Sequence, residues 1–341
     1  MPPAARSRHT ADRWWVVDGD AAVPAVRRAA TALAGEAGFS DERVAEVGIV
    51  VTELATNLVR HARGGEMVLR LNDGAGGMAL RVLAIDAGPG SRDIGALISD
   101  GASTRGTLGI GLGACRRLAS AFDVYSVPAI GTIAEAVLHG TAETPDLPGV
   151  RVSDLTRPLS EEGPCGDAAA YRLTGGIHVA MVADGLGHGP LAAEASQRAA
   201  EVLGASDSVA PATLLGLIHE ALRGTRGAAV SVLTYDPAAD TVTHAGIGNI
   251  VVRLAGPAGI RTLPTQPGIV GHRAPQAREQ TLPAADSAMA VMHSDGLSQR
   301  WSLDDVPGVL AHRPAVACAA LLRAAASRRD DSGLLVLRTV A

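Results

Sequence analysis

Between residues 139 and 150 the sequence HGTAETPDLPGV interrupts a steady apolar patterning with Gly, Pro and acidic residues. A chain broken in this way builds two cores rather than one. Its length agrees, since 341 residues at about 150 per domain gives two. The expected division is an N-terminal domain over residues 10–140, a linker over 141–150 and a C-terminal domain over 151–341. Hydrophobic residues make up 47% of the chain and charged residues 19%, which supplies apolar surface for both cores and charge for solubility.

All 30 basic residues are arginine. Every mechanism that needs a catalytic or phosphate-binding lysine is thereby excluded, the P-loop and the eukaryotic-type protein kinase among them. A net charge of -5 argues against a nucleic-acid surface, which needs a basic stripe to displace counterions, and favours a protein or small-molecule partner. No stretch approaches the roughly 20 apolar residues of a membrane span, and the N-terminus lacks the apolar core of a signal peptide. The expectation is a cytoplasmic protein that does not enter a membrane. Cys115, Cys165 and Cys318 are odd in number and far apart, without zinc-ligand spacing, and read as buried thiols of a reducing compartment.

In the N-terminal domain a strand is expected at residues 14–17 and a helix at 22–37. Ser40, followed by Asp41 and Glu42, reads as the cap and acidic first turn of a second helix. Alternating apolar runs follow at 67–71 and 78–85, then a short helix near 112–119 and a strand near 132–138. This is an α/β domain with an antiparallel sheet. In the C-terminal domain strand-type runs recur at 177–183, 229–235, 250–254, 288–293 and 334–337, with helical stretches at 191–203, 212–223 and 315–326. Strands with helices grouped between them imply helices layered on a sheet.

Within VGIVVTELATNLVRHA, Val47, Val50, Leu54 and Leu58 recur at helical spacing and form a core-facing stripe. Glu53, Asn57 and His61 occupy another face at i, i+4 and i+8. A carboxylate and a carboxamide one turn apart can hold hydrated Mg²⁺ and orient an attacking hydroxyl or water. The run at 78–85 leads into Asp86-Ala87-Gly88-Pro89-Gly90, and Gly109, Gly111 and Gly113 precede a helix. A carboxylate after a strand can accept the adenine amino hydrogen, and glycine-loop N–H groups at a helix N-terminus cradle phosphates without lysine. Taken singly, a polar helix face, a DAGPG turn and a glycine loop are ordinary structural features. Their order along the chain is what selects a nucleotide pocket.

Over residues 14–138 this order resembles the GHKL ATPases, and within them the bacterial anti-sigma-factor serine kinases. The resemblance implies a Bergerat-type α/β sandwich that binds ATP with Mg²⁺. Glu53 would then be the base or water-orienting residue, Asn57 the Mg²⁺ ligand and Asp86 the adenine contact, with Thr132 near the adenine. Gly88 and Gly90 would form the first glycine box, Gly109, Gly111 and Gly113 the second, and residues 91–108 the lid over the phosphates. The shortness of that lid, and the lack of a helix bearing a phosphoacceptor histidine ahead of it, point away from the histidine kinases.

A second set of carboxylates sits at strand margins: Asp167 in CGDAAA, Asp184 ending HVAMVAD, Asp295 ending AVMHSD, and Asp330 in RRDDSGLLVL. Clustered carboxylates repel one another unless a cation neutralises them, and an all-oxygen donor set selects Mg²⁺ or Mn²⁺ over Zn²⁺. Two such ions could activate water for in-line attack on phosphorus. An isolated Asp-Gly after a strand is usually a turn, whereas the string VADGLGHGPLAAEAS is more specific. From residue 163 onward the motifs GD, DGLGHG, SDG and RDD resemble, in order, the metal-dependent type 2C phosphatases and especially their SpoIIE-type bacterial branch. The resemblance implies an αββα sandwich with two Mn²⁺ or Mg²⁺ ions. Asp184 would bridge both, Gly185 would offer its carbonyl, Asp167 and Asp295 would complete one shell and Asp330 another, with Asp331 the weaker of its pair. His188 stands where many relatives have glycine and is equally a loop-packing residue. The substrate-gripping arginine of eukaryotic relatives has no secure match, Arg151 and Arg157 being nearby.

Together the two resemblances imply a bifunctional partner-switching regulator of stress-response or sigma-factor signalling. The kinase-like domain would phosphorylate, and the phosphatase domain hydrolyse, a serine or threonine of a partner such as a STAS-type anti-sigma-factor antagonist, with a sigma factor or switch protein as a further partner. The alternative is a phosphatase whose first domain only senses ATP or binds a partner.

Overall fold

The computed structural model describes residues 5–6, 8–9, 11–62, 65–74, 77–95, 111–141, 150–160, 163–284, 287–327 and 329–339. It divides into one unit of Arg8–Asp146 and another of Leu147–Ala341 together with Met1–Ser7. Among the described residues no helix is long and apolar enough to cross a membrane.

In chain order the strands are β1 (Ala5–Arg6), β2 (Arg8–His9) and β3 (Arg13–Val16), followed by helices α1 (Ala22–Glu36) and α2 (Asp41–His61). Then come β4 (Gly65–Gly74), β5 (Gly77–Asp86), α3 (Gly111–Leu118), β6 (Ala121–Val127) and β7 (Gly131–His139). The first unit is an antiparallel sheet in the order β2-β4-β5-β7-β6, with β3 also pairing with β4. On one face Met67, Leu69, Leu80 and Val82 bury against Val47, Val50, Leu54 and Leu58 of α2, so the apolar stripe read from sequence is the helix's core face. Ser40 caps α2, its Oγ accepting the Arg43 N–H at 3.2 Å, and Asp41 and Glu42 occupy the first turn, where the helix dipole favours carboxylates. Ser40→Ala is expected to cost about 1 kcal/mol of first-unit stability in chemical denaturation; an unshifted midpoint would show that the cap contributes nothing. The carboxylate of Asp12 is fully buried against the guanidinium of Arg70, whose Nε donates to Oδ1 at 2.7 Å, and lies 3.6 Å from Arg81. Strand β6 (AFDVYSV) lies outside the expected set, because Asp123 and Ser126 break its apolar run.

The second unit holds β8 (Val150–Arg157), β9 (Asp167–Thr174), β10 (Ile177–Gly185), α4 (Pro190–Ala205), α5 (Pro211–Ala221), β11 (Ala228–Asp236) and β12 (Thr241–Ile247). It continues through β13 (Val251–Gly256), β14 (Gly259–Leu263), β15 (Gln280–Pro283), β16 (Met289–His293), α6 (Pro314–Ala325) and β17 (Ser332–Thr339). Two antiparallel sheets result, β1-β9-β10-β11-β12-β15 and β14-β13-β16-β17-β8. Their facing sides interlock through Ala180, Val182, Leu233, Val252, Met292 and Leu335. Helices α4 and α5 cover the outer face of the first sheet through Ala195, Ala199, Leu214 and Ile218, and α6 packs on β8 and β17 of the second. This is the αββα sandwich, with four layers where strand order alone implied helices on one sheet. The difference arises in β8, β9, β12, β14 and β15. DAAAYRLT has no run of β-branched residues, and TVTHAGI is interrupted by His, Ala and Gly, so these ladders are weakly marked in composition. Cys115 and Cys318 are buried, whereas Cys165 is only partly buried, a correction to its reading as a core thiol.

Candidate functional site

In the first unit, α2 carries Glu53 and Asn57 half-buried and His61 exposed near its C-terminus. Its end abuts the loop after β5: a side chain at Gly88 would stand 2.4 Å from the His61 carbonyl oxygen. Gly90 has φ 65°, and a Cβ there would lie 2.1 Å from the Val127 carbonyl, so both positions admit only glycine without displacing backbone. Asp86 ties this loop to the sheet. Its Oδ1 accepts N–H bonds from Gly88 at 2.8 Å and from Thr132 at 2.9 Å. Thr132 Oγ1 lies 2.9 Å from Ser126 Oγ, which also accepts the Ser91 N–H at 2.8 Å. Ser126 is therefore a member of the site that sequence reading missed, its strand having been missed with it. The structure thus gathers Asp86, Gly88, Gly90 and Thr132 at the end of the helix that carries Glu53 and Asn57. Gly111 opens α3 rather than preceding it, and Gly113 is buried within it. Gly109, and the lid expected at 91–108 beyond residue 95, lie outside the described residues. Burial, and then the charge of Glu53, push the Cys115 thiol up to about 12, and α2 packs against α3.

In the second unit both sheets deliver carboxylates to one place. Asp167 begins β9 and stands directly opposite Asp184 near the end of β10. Asp295 follows β16, while Asp330 and Asp331 precede β17, the neighbouring strand. Burial first, and then the charges of Asp295 and Asp330, push Asp184 up to about 7. Asp295 is raised by burial and by Asp330, and Asn249 Nδ2 opposes this by donating to its Oδ2 at 2.7 Å. Asp167 is raised well above the ordinary carboxylate range by burial and then by Asp184, although Ser294 Oγ donates to its Oδ2 at 2.5 Å. Gly185 meets the start of α4 so closely that a Cβ would lie 2.1 Å from the Ala192 carbonyl.

Asp330 and Asp331 differ sharply. Asp331 is buried, and its two oxygens accept the N–H groups of Leu159 at 2.7 Å and Gly166 at 2.8 Å. Asp330 is exposed and acts electrostatically on Asp184 and Asp295. His188 is exposed in the loop after β10. Arg151 pairs with Arg338, at the end of β8 away from Asp331, whereas Arg157 stands opposite Ser332. Sequence reading missed Asn249 and Ser294; Ser294 adjoins Asp295 in the HSDG string and was legible there.

The donor chemistry fits divalent cations. The acids hold one another's titration up, as uncompensated like charges do, and oxygen donors suit Mg²⁺ or Mn²⁺. Among the described residues no three carboxylate, histidine or cysteine side chains form a ready-made cage. Mg²⁺ tolerates this, since it keeps several waters and needs only one or two carboxylates.

Fold and sites together define the class: an ATPase-type sandwich joined to a metal-dependent phosphatase sandwich. Residues 18–136 match the histidine kinase-like ATPase domain and residues 174–340 match stage II sporulation protein E (SpoIIE). The serine/threonine-protein kinase RsbT of Bacillus subtilis (strain 168) is 34% identical over 115 residues, 34% of this chain and 86% of RsbT. The phosphoserine phosphatase RsbX of the same organism is 25% identical over 164 residues, 47% of this chain and 79% of RsbX. Among solved structures, a chain of the bacterial stressosome shares 30% identity and covers 55% of this chain and 99% of itself, with TM-score 0.49. RsbX in complex with magnesium shares 21%, covers 58% and 99%, and has TM-score 0.48. The chain belongs to the histidine kinase-like ATPase family through its first unit, and its second unit carries a SpoIIE-type phosphatase domain.

Proposed function

We propose that this chain is a bifunctional partner-switching regulator, in which the phosphatase domain hydrolyses a phosphoserine or phosphothreonine of a protein partner and the ATPase-type domain binds ATP and phosphorylates such a residue. The observation that carries the first half is the delivery of Asp167, Asp184, Asp295 and Asp330 to one place from two sheets. There Asp184, the Gly185 carbonyl, Asp167, Asp295 and Asp330 would hold two Mn²⁺ or Mg²⁺ ions. A divalent pair bound there supplies Lewis-acid activation of water and neutralises the phosphate. The protein's own part is orientation. Asn249 fixes Asp295, Ser294 fixes Asp167, and the tight packing of Gly185 on Ala192 sets the position of its carbonyl.

In the first domain Glu53 would orient the attacking hydroxyl, Asn57 hold Mg²⁺, and Asp86 with Thr132 contact the adenine, with Gly88, Gly90, Gly109, Gly111 and Gly113 around the phosphates. The fit is supported by the glycine loop pressed against α2, where no side chain is admitted. Similarity to a serine/threonine-protein kinase in one half and to a phosphoserine phosphatase in the other supports a phosphoprotein shared by the two activities. A STAS-type anti-sigma-factor antagonist is the proposed partner.

The test is Mn²⁺-dependent hydrolysis of a generic aryl phosphate with and without ATP. The expected result is metal-dependent turnover whose rate ATP alters, with the ATP effect abolished in Asp86→Ala, where the Gly88 and Thr132 N–H groups lose their shared acceptor. Hydrolysis that is absent or indifferent to metal sinks the phosphatase reading. A Glu53→Ala protein that keeps every ATP-dependent behaviour would replace the kinase half with an ATP-sensing module.

A further inference from the structure

Among the described residues six large apolar side chains are left exposed: Val16, Ile49, Leu159, Leu186, Leu191 and Leu217. Three of them, Leu159, Leu186 and Leu191, are attached to the acid site. Leu159 donates its N–H to Asp331, whose other oxygen takes the N–H of Gly166. Gly166 in turn accepts the N–H of Gly185, and a Cβ on it would lie 3.1 Å from Ala192 Cβ and 3.5 Å from the Gly187 carbonyl. Leu186 lies between Gly185 and Gly187, and Leu191 precedes Ala192. The three leucines are thus linked through a few hydrogen bonds and contacts around the carboxylates, each about half exposed at 45%, 46% and 51%. Three half-exposed leucines whose backbones are tied to one carboxylate and the loop beside it differ from apolar residues scattered singly over a surface, and such local concentration is what binding surfaces show.

Building on the phosphatase reading, we propose that Leu159, Leu186 and Leu191 form an apolar docking rim for the polypeptide around the phosphorylated residue, and that the preferred substrate segment carries aliphatic side chains flanking its phosphoserine. Continuity with the acid site selects this occupant over a second copy of the chain, because the backbone that carries the leucines is hydrogen-bonded into the loops that carry the carboxylates. Charge agrees. Arg226, exposed at the start of the β11 approach, lays its Nη1 3.1 Å from where a Gly187 Cβ would stand, and takes no carboxylate partner among the described residues. The rim therefore joins apolar surface to a cation, which complements a phosphate set among aliphatic side chains.

The experiment compares kcat/KM for two phosphoserine peptides, one flanked by Leu and Val and one flanked by Gly and Ser, with Mn²⁺. The same pair, labelled with fluorescein, is titrated by anisotropy against the metal-free protein. The wild-type chain is expected to favour the aliphatic-flanked peptide by about tenfold in both measurements, as partial burial of two or three leucines implies. That ratio should collapse in the double variant Leu186→Ser, Leu191→Ser and persist in Leu186→Met, Leu191→Met. A wild-type protein indifferent to the flanks, or a serine variant that keeps the preference, overturns the docking rim. If aryl phosphate is not hydrolysed at all, the phosphatase reading fails; an anisotropy preference that the serine variant abolishes then still supports the rim, and the lack of one overturns it.

Discussion

Replacing Asp184 by alanine is expected to lower metal-dependent phosphatase turnover by about 10³-fold or more, the scale of losing a principal electrostatic group from a catalytic centre. The physical reason is position. Asp184 is paired across the ladder with Asp167 and interacts with Asp295, Asp330 and Asp331, so no other acid in the cluster communicates with all the rest. The same variant carries an internal control on folding. A carboxyl held at about 7 in the fold, against 3.8 ordinarily, binds more protons folded than unfolded. Its contribution to stability therefore falls as pH rises between about 4 and 7, and without metal its removal relieves repulsion. Metal-free Asp184→Ala should thus melt no lower than wild type at pH 8, while the rise in Tm that Mn²⁺ gives the wild-type protein by binding only the folded state should vanish. Full turnover in the variant, or an undiminished Mn²⁺ shift, would remove Asp184 from the centre of the site.

The candidate sites are marked in the sequence wherever strand, carboxylate and glycine follow one another. Asp86 ending β5, Asp184 after the run HVAMVA and Asp295 after AVMHS are each marked by an apolar run leading to an acid, whatever the strand pairs with. What local pattern cannot show is which side chain holds that acid in place. Asn249 and Ser126 lie 46 and 40 residues from Asp295 and Asp86, outside any local motif, and they reach those groups through tertiary pairing: Asn249 bonds Asp295 directly, and Ser126 bonds Thr132, which bonds Asp86. The fold shows the same limit. Strands carrying runs of Val, Ile and Leu, such as β10, β11 and β17, declare themselves. β9 and β12 place only Ala169, Tyr171 and Val242 in the core between the two sheets, and the Ala, His and Gly interrupting their runs weaken the local strand signal. Local pattern alone gives two layers because it misses those ladders, whereas the motif resemblance implied the four that the structure has.

The adjacent pair Asp330 and Asp331 gives the second large effect, because the two residues are expected to fail in different ways. Asp331→Ala should destabilise the second unit by roughly 3–5 kcal/mol, since a buried carboxylate that accepts two backbone N–H groups leaves both donors unsatisfied when removed. Those donors belong to Leu159 and Gly166, and Gly166 also accepts from Gly185, so the loss loosens the loop that carries the proposed metal carbonyl. Asp330 accepts no such burden. It is exposed, and its Oδ1 accepts the Asp331 N–H beside it at 2.9 Å. Asp330→Ala should therefore leave the urea midpoint nearly where it is and lower turnover instead, with more Mn²⁺ needed for half-maximal rate. Chemical denaturation of the two variants, followed by Mn²⁺ titration of their hydrolysis, separates the roles. Equal destabilisation by both substitutions, or a metal requirement that moves only in Asp331→Ala, would reverse the assignment of scaffold and ligand within the pair.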